Sequence, residues 1–122
     1  MGIGGYKDLL VWQKGIALTK EVYKVTKTFP KDERFGLIAQ MRRAAVSVPS
    51  NLAEGQARHT TGEFIQFISH AEGSLAELET QAHVSMELGY CAAADSARLL
   101  DNLDELRRML NSLRRKLARK RS

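Results

Sequence analysis

Gln-Met-Arg-Arg-Ala-Ala-Val-Ser-Val-Pro-Ser-Asn-Leu-Ala-Glu-Gly-Gln-Ala-Arg, residues 40–58, is the stretch whose reading decides the fold. Together with Ile38, its apolar residues Met41, Ala45, Val48 and Leu52 recur at the spacing that lines one face of a helix. A second stripe with the same period runs beside them: Gln40, Arg43, Ser47, Ser50 or Asn51, Glu54 and Arg58. Small residues (Ala44, Ala45, Ser47, Ser50, Ala53, Gly55) admit close neighbours, so Arg43, Asn51 and Glu54 are expected to be enclosed and to satisfy one another. Pro49 removes a backbone donor in mid-segment. The periodicity does not reset across it, which favours a kinked continuous helix over a break recapped by Ser47 or Ser50.

Upstream, Asp8 reads as the N-cap or first-turn acid of a helix that ends near Thr28, closed by Phe29-Pro30. Two apolar stripes run along it, Leu9, Trp12, Ile16 and Tyr23 on one line and Val11, Leu18, Val22 and Val25 about a quarter turn away. A helix apolar over so wide an arc touches more than one neighbour, and Val11, Leu18 and Val22 are the expected flank left over for other copies. Asp32 is the expected cap of the second helix. Downstream, Thr60 and Glu63 have capping-box spacing, and Phe64, Ile68, Ala71, Leu75, Leu78 and Ala82 keep one face apolar until Gly89 stops the third helix. The pair Gly73-Ser74 within it predicts a close helix crossing. Leu99, Leu103, Leu106, Leu110, Leu113 and Leu117 then form a bundle seam on a fourth helix that opens near residues 93–95. With no strand pattern and short connections, the expected fold is all-α, an antiparallel up-down-up-down four-helix bundle. It fills a single domain, 1–122, with a flexible lead-in at 1–6 and a basic tail at 118–122.

At 122 residues the chain is near the size where oligomerisation adds useful burial. Its single cysteine, Cys91, excludes an intramolecular disulfide framework and reads as a small apolar filler. No apolar run approaches a membrane span and no signal-peptide pattern opens the chain, so a soluble, cytoplasmic protein without membrane partners is expected. The net charge of +5 is unevenly placed. Residues 107–122 hold eight basic and no acidic side chains, whereas residues 59–97 hold six acidic and no Lys or Arg. Helices of opposite sign are therefore expected to pair, within one subunit or between subunits.

Several segments together resemble a known family. They are Tyr6-Lys7-Asp8-Leu9-Leu10-Val11-Trp12-Gln13-Lys14, Phe29-Pro30, Phe35-Gly36-Leu37, Gln40 with Arg42-Arg43-Ala44-Ala45, and Ser47 through Asn51 with Ala53-Glu54-Gly55. Phe64, Phe67, Gly73-Ser74, Glu77-Leu78 and Leu88-Gly89-Tyr90 extend the match, which covers roughly residues 6–117. The chain resembles the bacterial four-helix bundle proteins encoded in intervening sequences of 23S ribosomal RNA genes. What the resemblance implies is a bundle assembling into a homopentameric ring, and a relation to the accessory protein of diversity-generating retroelements, a basic barrel that engages nucleic acid and a reverse transcriptase. It supplies no defined biochemical role for the intervening-sequence proteins themselves. The last few residues depart from the family pattern.

Two residue sets are candidates for function. Arg42, Arg43, Ser47, Asn51, Glu54, Arg58 and Glu77 read as a polar network holding helices or subunits in register, more readily than as a ligand site. Arg107, Arg108, Arg114, Arg115, Lys116, Arg119, Lys120 and Arg121 read as a nucleic-acid surface that a ring would multiply. A solvated helix end suited to the C-terminal dipole explains the same residues about as well. The tail has no aromatic residue, so RNA or DNA binding would be backbone-driven. Glu79 and His83 lie one turn apart, with Glu72 on the same helix. A di-iron bundle needs Glu-x-x-His on two helices, and this chain has no such pair. Phosphate loops, nucleophile elbows and zinc-spaced clusters are also missing. The expectation is a non-enzymatic oligomer without a cofactor that binds RNA or DNA, the alternative being a protein-interaction scaffold such as a reverse-transcriptase adaptor.

Overall fold

The computed structural model describes residues 5–121, Arg121 by its backbone alone. Most of the expected lead-in, residues 1–4, and the last tail residue, Ser122, lie outside the described residues. Four helices make up the fold: α1 (Leu10–Thr26), α2 (Leu37–Gln56), α3 (Thr61–Glu87) and α4 (Ala93–Arg121). There is no strand among the described residues. Each helix packs on two others, α1 and α3 both lying against α2 and α4. Residue numbers run in opposite senses where α2 meets α1 and α3. Gly15 faces Pro49 while Thr19 reaches Ala45 and Thr26 meets Arg42, and Ser47 bonds Ser74 while Gly55 lies on Phe67.

The seam leucines Leu99, Leu103, Leu106 and Leu110 are buried with Ile68, Ala71, Leu75, Leu78 and Ala82 of α3 and with Met41, Ala45, Val48 and Leu52 of α2. The α1 contribution corrects one expectation. Val11, Leu18, Val22 and Val25 belong to the chain's own core, Leu18 only 3% exposed and Val22 fully hidden. The flank left open is the other stripe, where Ile16 is 38% and Tyr23 40% exposed. Because α1 touches α2 and α4 at once, the core needs the stripe between those two contacts, and the quarter-turn offset leaves Ile16 and Tyr23 outside.

Helix ends correct two more expectations. Asp8 caps nothing; it ends a 3-10 turn, Gly5–Asp8, and α1 then opens at Leu10 from Leu9, which makes no side-chain cap bond. Asp32 does not cap α2 either. It lies in a 3-10 turn, Lys31–Glu33, and the residue that reaches α2 is Glu33, whose Oε1 accepts from the Leu37 amide at 3.0 Å. A side chain at Gly36 would meet that carboxylate at 2.7 Å and would displace it from the Leu37 amide. The α3 ends are as the sequence predicts. Thr60 accepts from the Glu63 amide at 3.1 Å, and Gly89 sits at φ +75 while the Tyr90 amide donates back to Ser85 O at 2.9 Å.

α2 runs unbroken through Pro49. Proline cannot donate to the carbonyl one turn back, that of Ala45, and Ala45 is fully buried. The Thr19 hydroxyl of α1 lies 3.2 Å from that oxygen and 2.8 Å from Gly15 O, so its single proton is shared between the two carbonyls and a neighbouring helix partly replaces the hydrogen bond the proline cannot make. Gly15 makes this approach possible, since a Cβ there would sit 3.3 Å from the Pro49 ring. Gly55 does the same for α3, where a Cβ would come within 2.5 Å of Phe67 Cβ. Gly73 does not mark a crossing within the chain: a Cβ there would meet nothing within 4 Å, and it is Ser74 that touches α2.

Candidate functional site

The polar stripe that was expected to form one network is divided among separate tasks. Arg42 crosses to α1, its Nε donating to Thr26 Oγ1 at 2.9 Å and its Nη2 to Tyr23 O at 3.3 Å, with the guanidinium 4.4 Å from the Tyr23 ring centre. Ser47 crosses to α3, 2.5 Å from Ser74 Oγ. Asn51 turns back on Ser47 O at 2.7 Å, and Glu77 accepts from Gln81 within α3 at 3.3 Å. Glu54 pairs with Arg58 at 2.8 Å at the exposed end of α2, where the Arg58 guanidinium also stacks on Phe67. Arg43 is exposed and makes no hydrogen bond or ion pair with a described residue. Arg42 and Ser47 thus hold helices in register, whereas Arg43 and Glu54 face water and are not enclosed. Stripe geometry fixes which residues share a face but not how wide the buried part of that face is.

Arg43 faces a different feature that the sequence reading missed. Two shallow apolar grooves run along the outer side of α1 and α2. The first, about 280 Å³, includes Trp12, Ile16, Thr19 and Pro49; the second, about 730 Å³, is lined by Tyr23, Phe35, Ile38 and Ala39 and rimmed by Arg34, Arg42 and Arg43. Val46 and Ser50 line both, so the grooves form one continuous face. Phe35 is 88% exposed on it. Among the described residues, no acidic side chain lines either groove. The signal available in sequence was the leftover stripe of α1, assigned there to the wrong set of residues.

The basic end of α4 is only partly available. Arg107 and Arg108 both hold Asp104, the latter at 3.0 Å. Arg114 reaches across to Glu72 of α3, its Nε 3.0 Å from Oε1, and donates to Asn111 Oδ1 at 2.7 Å. Opposite-sign helices therefore do pair within the chain, α3 with α4. Arg115, Lys116 and Lys120 are exposed and have no ion-pair or hydrogen-bond partner among the described residues, while Arg119 is exposed but engaged. The side chain of Arg121 lies outside the described residues. The hydrogen bond from Arg107 holds the Asp104 carboxyl below its ordinary range, and the same bond raises Arg107. Away from this surface, Tyr90 donates to Glu33 Oε2 at 3.0 Å, and that bond is the main cause of a phenol pushed above its ordinary value.

Among the described residues, no three His, Cys, Asp or Glu side chains converge in a way that would hold a metal ion, and no helix is long and apolar enough to cross a membrane. Helices, core and surface define the class: a small four-helix, all-α protein whose outward features are an arginine-rimmed apolar face and a cationic helix end. The chain belongs to the 23S rRNA-intervening sequence protein family, whose family model matches residues 7–112. Its fold is similar to a crystal structure from Bacteroides thetaiotaomicron, a protein of unknown function from the S23 ribosomal protein family. That likeness has a TM-score of 0.77 at 18% identity and covers 85% of this chain and 97% of the other. No curated protein matches the chain significantly.

Proposed function

We propose that this chain is a non-enzymatic, up-down-up-down helical bundle that assembles into a ring, pentameric as the family resemblance implies, and binds the phosphate backbone of RNA or DNA. The observation that carries the nucleic-acid reading is the exposed, unpaired trio Arg115, Lys116 and Lys120 at the end of α4. Such cations release condensed counterions when they meet phosphate, and copies in a ring sum their fields. The opposed residue numbering where α2 meets α1 and α3 supports the topology, and the open apolar face supports assembly. Mobility-shift titration across a salt series tests binding. Affinity falls steeply with salt, and replacing Arg115, Lys116 and Lys120 by Ala lowers the log–log slope by about 0.9 per lost duplex contact. Binding that ignores both salt and removal of residues 114–122 contradicts the reading.

A scaffold role is the second reading, favoured by the exposed face of α1 and α2, where Ile16, Tyr23, Phe35 and Val46 stand open to solvent. A pull-down with a reverse transcriptase after nuclease treatment tests it. Recovery of the partner supports the scaffold, and recovery only with nucleic acid intact counts against it.

A further inference from the structure

The face of α1 and α2 combines apolar surface with positive charge and has no negative charge along its grooves. Paired with itself about a two-fold axis through the second groove, it would bring the Arg34, Arg42 and Arg43 sets of both copies together, a like-charge contact that disfavours that pairing. Its complement must be acidic and partly apolar. The outward line of α3 has that chemistry: Gly73, Ala76, Glu77, Thr80, Val84 and Glu87 are all exposed at helical spacing. Val84 is 43% exposed. Glu87 is the last residue of α3, at the negative end of the helix dipole, and has no partner among the described residues. Gly73 lowers helix propensity in the middle of a 27-residue helix, although no described residue comes close enough to need it. Because α3 packs on α2 and α4 and not on α1, this line and the groove face are both free at once.

We infer that the α1 and α2 face of one copy docks head to tail on the outer face of α3 of the next, Arg34 and Arg43 meeting Glu77 and Glu87. Phe35 and Val46 enter the strip kept shallow by Gly73, Ala76 and Thr80. This rests on the assembly reading above and adds which surfaces meet. It also makes the contact heterologous, so that copies close into a ring or extend into a filament and do not form a two-fold pair.

Sedimentation velocity on the nuclease-treated full chain tests it, with helix content followed by circular dichroism. The parent sediments as an oligomer. Arg34→Glu with Arg43→Glu, or Glu77→Arg with Glu87→Arg, reduces the sedimenting species to the 13.6 kDa chain with helix content unchanged. All four substitutions in one chain restore the oligomer. Either pair assembling like the parent, a two-fold dimer, or failure of the fourfold variant to reassemble overturns the face assignment while leaving the assembly reading in place. A monomeric parent overturns both.

Discussion

Two stripes of the same helix have opposite fates. Val11, Leu18, Val22 and Val25 of α1 are sealed into the core, whereas Trp12, Ile16 and Tyr23, a quarter turn away, line open grooves with Val46 and Phe35. Composition and period do not separate them. The difference is made by where α2 and α4 stand, and it teaches that which of two apolar stripes stays open is set by the flank the bundle uses first. The same contrast holds for charge. Arg114 is held by Glu72, while Arg43 rims a groove lined by no acid among the described residues and makes no ion pair with them.

The largest expected break in this comparison is Leu18→Ala, which leaves a cavity in the sealed stripe and lowers unfolding free energy by about 2–5 kcal/mol. Ile16→Ala on the open stripe, measured by denaturant titration of the dissociated chain, costs well under half of that. Next is the pair of glycines. Gly55→Ala forces a methyl onto Phe67 and Phe64 and destabilises by about 1–3 kcal/mol. Gly73→Ala meets open space and stabilises the single chain by about 0.5–1 kcal/mol while weakening its assembly. Thr19→Val withdraws the donor from the Ala45 carbonyl opposite Pro49 and costs about 1–3 kcal/mol, with local loss of amide protection in α2.

The smallest effects are those of pH. The folded Asp104 pKa is depressed, so its contribution is present above its ordinary carboxylate pKa and is lost as pH falls through the folded value. Tyr90 has the opposite sign: its folded pKa is raised, so its contribution is present below its ordinary phenol pKa and fades as pH climbs toward the folded one. Stability profiles of Asp104→Asn and Tyr90→Phe should flatten at the acid and alkaline ends respectively. Unchanged profiles would mean that the Arg107 and Glu33 hydrogen bonds contribute nothing.

Much of the fold was legible because helix ends and seams are written locally. Thr60 with Glu63, Gly89, and the leucines of α4 each declare their role within a few residues. The α2 cap was not legible, because Glu33 reaches it only after a 3-10 turn whose existence Asp32 does not announce. Nor was the answer to Pro49, since Thr19 meets Ala45 from 26 positions away in the chain. The candidate tail divided for a similar reason: Arg114 and Arg115 are neighbours in sequence, yet only Arg114 points across to Glu72. Charge counts along a chain cannot tell a cation that closes a bundle from one that faces outward.

Oxidative footprinting over a dilution series tests most directly whether the open stripe is an interface between copies. Tyr23, Phe35 and Val46 should be protected in concentrated protein and become reactive as it is diluted, while Leu18 and Val22 stay unreactive throughout. Equal reactivity of Tyr23, Phe35 and Val46 at every concentration would contradict the account.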